Sequence, residues 1–316
     1  MSRRSQRGVA LVIVVWASVL IAVIASSFIV ERRTEQLIVR NSAEIARAEA
    51  AANAAVMAAV LQLYRGDSSP DRWLKDGAPH DWAFDGIPVR VVIRDESAKI
   101  DINTANDALL RGLFMSAGLP EDDAAHLVDA VLDWRDADSL KRANGAEEDD
   151  YRAAGLAYKP ANEPFQAIEE LQLVLGMRPE LYRRIAPSIT VFSRQPGINV
   201  HLASRDTLLA LPGVTAEQVD QYIAAREANR AAGQALPPFP PAGALASGAS
   251  MIATIYAEAR LDDGLSFARE AAALLRPAPH RPVAFIAWRE STAAADPLAG
   301  VPPAETPANP STSPSR

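Results

Sequence analysis

Residues 9–30, VALVIVVWASVLIAVIASSFIV, limit the fold of this chain more than any other stretch, because they hold no charged residue. Roughly 22 apolar or small residues in a helix, rising about 1.5 Å each, cover a hydrocarbon core about 30 Å thick. Arg3, Arg4 and Arg7 stand before the stretch, and Glu31 behind it opens a polar helical pattern instead of a stop. Positive charge on so short a leader keeps the N-terminus cytoplasmic and sends the body across the membrane, which in a Gram-negative cell means the periplasm. A cleaved secretory signal is the rival reading. Ala25, Ser26 and Ser27 imitate its small-residue cleavage site, although such signals have a shorter apolar core.

Behind the span, residues 31–65 keep a helical pattern. Leu37, Ile38, Ile45, Val56, Val60, Leu61 and Leu63 recur at mixed spacings of three and four, alanines fill the gaps, and there is no proline. Gly66 suits the position after a helix end, and Asp67-Ser68-Ser69-Pro70 is a stop. One helix of roughly 57 residues, about 85 Å long, is expected. Its first half has lipid or neighbouring subunits to bury against, and its amphipathic second half needs a sheet or helices to cover it. Residues 71–86 are expected as a loop anchored by Trp73 and Trp82. Residues 87–94, rich in Val and Ile, are expected as a strand whose pairing Ile100, Asp101 and Ile102 extend.

Residues 103–229 differ in kind, with short helical patterns separated by glycine and proline turns. Ile100-Asp101-Ile102-Asn103-Thr104-Ala105 echoes Ile198-Asn199-Val200-His201-Leu202-Ala203 at an offset of 98 positions (198 − 100). Each copy then runs through a glycine turn, at Gly118 and at Gly213, into a second helical pattern. Residues 233–249 form a Pro/Gly connector, semi-extended where proline dominates. Runs on both sides of Asp262-Asp263-Gly264 signal a hairpin. The run from Phe267 to Leu275 has the propensity of a helix, yet it is assigned as strand because its neighbours demand a small antiparallel sheet. Residues 291–316, rich in Pro, Ala, Ser and Thr, are expected to be disordered. The expected units are a leader at 1–8, the membrane half of the helix at 9–30, an amphipathic helix and first strand at 31–102, a helical insert at 103–232, the connector, and the remaining strands at 250–290.

Chemistry is thinly represented. The formal net charge of -7 argues against a nucleic-acid surface. Without cysteine there is no disulfide, thiolate nucleophile or Cys-ligated metal. His80, His126, His201 and His280 lie far apart, and no nucleophile elbow, zinc-protease helix or phosphate-binding glycine loop is present, so no enzyme is expected. Glu169-Glu170 fits the solvated face of a helix better than an acid/base pair.

One short stretch is crowded with acids: Asp133, Asp136, Asp138, Glu147, Glu148, Asp149 and Asp150. Like charges at this density need a cation or many donors. Asp136-Ala137-Asp138 has the Asp-x-Asp spacing of calcium loops. It is no EF-hand, because the required glycine is absent and Arg142 stands where a ligand is wanted. A solvated loop paired with Arg135, Lys141, Arg142 and Arg152 remains the other reading. The best ligand candidates are Asp136, Asp138 and Glu147, with Asp133 and Asp150 weaker because either also serves as a cap or surface charge. Trp134 reads as a core anchor, and Asn103, Asn162 and Asn199 as turn or cap residues.

Arg7-Gly8-Val9-Ala10-Leu11 resembles the processing signal of type IV pilins and type II secretion pseudopilins. By that resemblance prepilin peptidase cuts between Gly8 and Val9. The whole layout, together with Asp133-Trp134-Arg135-Asp136-Ala137-Asp138, Asn144-Gly145-Ala146-Glu147 and Asn162-Glu163-Pro164-Phe165 before Glu169-Glu170-Leu171, is similar to the general secretion pathway protein K family of minor pseudopilins. The resemblance implies an α+β fold: a pilin-like long N-terminal helix packed on a small antiparallel sheet, with a large inserted all-α domain containing helix-hairpin-helix-like repeats. It further implies calcium in the insert, and a place at the tip of a short periplasmic pseudopilus anchored in the inner membrane. Other minor pseudopilins and exported proteins are the implied partners. Pilin-like subunits usually carry glutamate at the fifth mature position, where this chain has Ile13. A subunit lacking that register carboxylate is best tolerated at a filament end. The alternative is a secreted or tethered helix-hairpin-helix DNA-binding protein, which the missing basic stripe disfavours.

Overall fold

The computed structural model describes residues 6–65, 72–239, 249–262, 264–276 and 283–291, with side chains described from residue 11 onward except at 25 and 27–34. Helix α1 (Gln6–Leu63) opens the chain and is followed by strands β1 (Asp76–Phe84) and β2 (Ile87–Asp95). The insert contains β3 (Ile100–Asp101), α2 (Asp107–Ser116), α3 (Glu121–Arg135), α4 (Glu148–Ala153), α5 (Pro179–Ile185), β4 (Ile189–Thr190), α6 (Arg205–Leu209) and α7 (Ala216–Ala231). Strands β5 (Ile252–Arg260), β6 (Ser266–Leu275) and β7 (Val283–Glu290) complete it. The helix stop at 66–70, the leader at 1–5 and the tail beyond 291 lie outside the described residues, as does most of the connector.

Five strands form one antiparallel sheet in the order β1-β2-β5-β6-β7. Strands β2 and β5 are neighbours in space although the whole insert separates them in sequence, so the insert is an excursion from mid-sheet. One sheet face packs on the second half of α1. Ala48, Ala51, Ala52, Ala55, Val56 and Ala59 of the helix meet Val89, Val91 and Ile93, Ile255 and Ala257, and Ala271 and Ala273. Alanine on both sides lets helix and sheet approach closely, which is why β6 is a strand despite its alanine-rich helical propensity. Arg269 of β6 closes the layer by donating to Asn53 Oδ1 at 2.8 Å and Glu49 Oε1 at 2.6 Å on α1. Along the first half of α1 the described side chains from Leu11 to Ile24 are exposed. Among the described residues no helix is long and apolar enough to cross a membrane. The expected span at 9–30 falls partly on side chains outside that set.

Two expectations need correction. Residues 76–84 are strand β1, not loop. The segment has little β propensity of its own, with Gly77 and Pro79 inside it, and it is held by pairing to β2. Asp85 (φ 49°) and Gly86 (φ 77°) make the tight two-residue turn that joins them. The insert, moreover, is not all-α. Ile100 and Asp101 leave the main sheet and pair in parallel with Ile189 and Thr190, so the insert begins directly after β2. The cause is a 3-10 turn at Glu96–Ala98, capped by Asp95 through Ser97 N, which ends β2.

Candidate functional site

The acidic stretch lies where α3 ends, loops back, and starts α4. Asp133 is fully buried on the last turn of α3. Its Oδ2 accepts from Ala146 N at 3.0 Å and Arg142 N at 3.2 Å, and its Oδ1 lies 3.4 Å from Arg142 Nε. Gly145 is required beside it, because a Cβ there would sit 1.9 Å from Asp133 Oδ2. Asp150 is engaged as well: Oδ2 accepts from Glu147 N at 2.9 Å and Oδ1 from Lys141 Nζ at 2.6 Å. Both residues therefore pin the loop, and their oxygens already have donors.

The three stronger candidates differ. Asp136 Oδ1 and Glu147 Oε1 are buried without a hydrogen-bond partner, and so is Asn162 Oδ1. Asn162 has a φ of 51° and donates its Nδ2 to the Asp138 carbonyl at 2.7 Å, which ties this third acceptor to the same loop. Asp138 Oδ1 accepts from Leu140 N at 2.8 Å. Burial, with Asp133, Asp136, Asp138 and Asp150 nearby, raises the Glu147 pKa; burial and Asp138 raise that of Asp136. Arg142 reaches Asp136 only at the long end of ion-pair range, 3.9 Å from Oδ2, and leaves Oδ1 without a donor amid like charge. Among the described residues, no three His, Asp or Glu side chains are grouped so as to hold a metal ion. Trp134, buried and stacked on Phe165 at 6.1 Å between centroids, anchors the floor.

A second polar centre joins insert to sheet. Asp95 Oδ1 accepts from Ser97 N, Ser97 Oγ and Ser250 N, while Oδ2 meets Lys75 Nζ at 2.5 Å. Glu96 Oε1 accepts from Lys99 Nζ at 2.8 Å and Thr254 Oγ1 of β5 at 2.5 Å, and Oε2 accepts from Thr190 Oγ1 of β4. Burial pushes the Glu96 pKa up, but Lys99 and the two threonine hydroxyls outweigh it and hold it below its ordinary value. Nothing local marks these residues. The one visible signal is a pair of acids ending an apolar strand.

The two repeated units pack side by side. Asn106 Oδ1 caps α2 through Leu109 N, and Ser204 Oγ caps α6 through Thr207 N. Asp101 Oδ1 accepts from Asn103 N, and Asn199 Oδ1 from His201 N at the matching position. Asn103 also bridges to Phe165 through both its amide atoms, so Asn103 and Asn199 hold the turns of the two units. Phe239, at the start of the connector, closes on Tyr222 with centroids 4.6 Å apart. At the other end of the chain, Gly8 and Val9 fall within the α1 backbone with their side chains outside the described set, and Ile13 is exposed.

Residues 91–197 match the family model for type II secretion system protein K, a region that includes the acidic loop. The protein of that description from Dickeya chrysanthemi is 30% identical over 249 residues, covering 60% of this chain and 67% of the relative. Its counterpart from Pseudomonas aeruginosa is 28% identical over 249 residues, covering 71% and 73%. The one from Pectobacterium carotovorum is 28% identical over 211 residues, covering 59% of this chain and 63% of the relative. A solved GspK–GspI–GspJ complex from the type 2 secretion system of enterotoxigenic Escherichia coli contains a chain of the same fold. The TM-score is 0.53 at 17% identity, over 83% of this chain and 99% of that one.

Proposed function

The chain belongs to the type II secretion system protein K family, and from that premise we propose that it caps the tip of a periplasmic pseudopilus. It is a minor pseudopilin of type II secretion. The observation that carries the tip position is the insert: it projects from mid-sheet between β2 and β5, where its bulk would obstruct a subunit stacked above. Ile13 in place of the usual register glutamate fits the same end position.

In this reading residues 9–30 span the inner membrane once, with the N-terminus cytoplasmic and a pilin-like body in the periplasm. Prepilin peptidase removes residues 1–8. Partners are other minor pseudopilins, as in the GspK–GspI–GspJ assembly, and exported proteins. The repeated units act as helix-hairpin-helix-like packing modules, with no nucleic acid and no catalysis.

Calcium belongs to the insert. The acceptors fit a hard cation, since the three orphaned ones on the loop are oxygens, Asp136 Oδ1, Glu147 Oε1 and Asn162 Oδ1, while the orphaned Trp134 Nε1 beside them is a donor and no ligand. Asp136, Asp138 and Glu147 are not grouped as a ready-made site, so an ion would have to draw them together, with help from Asn162, while Asp133 and Asp150 brace the loop. Bound there, calcium would supply the positive charge that lets these carboxylates stay ionised and the loop stay rigid.

Intact mass of the protein from membranes tests the assembly reading. A mature chain beginning at Val9 that co-purifies with other minor pseudopilins is expected. A terminus at Ser26 or beyond would remove the stem and the proposal with it.

A further inference from the structure

The sheet face turned away from α1 and the insert enclose a cleft of two cavities, about 350 and 340 Å³, which share Arg94, Lys99 and Pro187. Val92 and Tyr256 form its floor, and Ile168 and Tyr182 line it from the insert. The cations around it are committed, with one exception. Lys75 pairs with Asp95, Lys99 with Glu96, Arg183 with Glu180, and Arg289 with Glu169 and Glu270. Arg226 gives its protons to the carbonyls of Val200 and Ala203. The Arg94 guanidinium, half-buried at the junction of the two cavities, makes no hydrogen bond or ion pair among the described residues. Burial depresses its pKa, and the charges of Glu270 and Glu96 offset that only in part. A guanidinium does not shed its proton in a protein, so the charge stays without a hydrogen-bonded carboxylate.

We propose that this cleft binds a carboxylate carried on an apolar group, as at the C-terminus of a peptide, with Arg94 taking the carboxylate and Val92, Tyr182 and Tyr256 the apolar part. The planar fork of Arg94 matches a carboxylate in two-point geometry. Glu169, Glu270 and Glu290 line the same cavity and repel any anion, a phosphate dianion about twice as strongly as a single carboxylate, which favours the singly charged group. A volume of about 350 Å³ lies in the range of ligand pockets and suits one or two residues. The site does not depend on the filament reading.

The test titrates N-acetyl-phenylalanine and N-acetyl-phenylalanine amide into the purified full-length chain by calorimetry. The acid should bind about tenfold or more tightly than the amide, the contrast expected of a hydrogen-bonded charge pair. Arg94→Gln should erase that contrast, and Tyr182→Ala should weaken both ligands. Equal affinity for acid and amide, no binding of the acid, or inorganic phosphate binding as tightly as the acid overturns the proposal. The acid–amide comparison is made on the unaltered chain, so it stands even if a variant fails to fold.

Discussion

Arg135 and Arg226 make the same connection in the two halves of the insert. Arg135 reaches from α3 to the carbonyls of Ile102 and Ala105, and Arg226 reaches from α7 to those of Val200 and Ala203. The paired carbonyls are 98 positions apart in each case (200 − 102 and 203 − 105), so the echo in sequence is an echo in hydrogen bonding. Arg226 is also the more buried, at 8% exposure. Arg226→Met should leave two turn carbonyls without donors and cost about 2–4 kcal/mol. Urea unfolding measures it, and an unchanged midpoint would mean the arginine is dispensable.

Gly112 is where the two units touch. A Cβ added there would lie 2.0 Å from the main-chain oxygen of Ala210, and backbone cannot swing aside as a side chain can. Gly112→Ala should therefore destabilise the insert by about 3 kcal/mol, at the upper end of overpacking costs. Thermal melting checks it. Gly155→Ala is a useful contrast: no atom lies within 4 Å of its added Cβ, leaving only the strain of a φ of 75°.

Acid should loosen the joint between insert and sheet. The Glu96 carboxyl is held below its ordinary value of 4.5, so its stabilisation is present above that pH and is lost as pH falls through the lower folded value. Unfolding free energy should decline across that acid window. Glu96→Gln should be less stable at neutral pH and show a flatter acid limb. A variant with the same acid slope as the parent would show that other carboxylates dominate.

The acidic loop behaves in the opposite sense. Burial and neighbouring carboxylates raise the Glu147 pKa, so its ionised form opposes folding, and the penalty grows as pH rises through the folded value. In chelator Glu147→Gln should raise the melting temperature, while calcium should stabilise the parent by about 2.7 kcal/mol at a hundredfold excess over its Kd. Asp138→Ala should abolish the calcium response. Calorimetry with and without chelator decides, and a parent indifferent to calcium would discard the ion.

The sheet was legible where turn chemistry and strand pattern agree. The run at 266–275 has helical composition, yet the hairpin signal ahead of it and the apolar run after it required a strand, and β6 is one. The same Asp-Gly signal stood at Asp85-Gly86, but β1 carries Gly77 and Pro79 and buries little, so it has no strand pattern to find. Ile100 and Asp101 look like more of β2 because their composition suits any strand. Only the 3-10 turn after Asp95 turns them toward Ile189 and Thr190.

Sequence alone determined what depends on near neighbours: the apolar stem, the repeated turn at 100–105 and 198–203, the crowding of acids, and the residue types able to meet a cation. Tertiary structure decided which acids are free to do so. Asp133 and Asp150 have their oxygens filled by donors that the loop folds back to them, while Asp136 and Glu147 each keep a bare one. Glu96 is the extreme case, its partners Thr190 and Thr254 lying 94 and 158 positions away. The physical reason is range: helix, turn and charge density act over a few residues of chain, whereas a buried carboxylate is set by whichever donors packing brings to it from anywhere along the sequence.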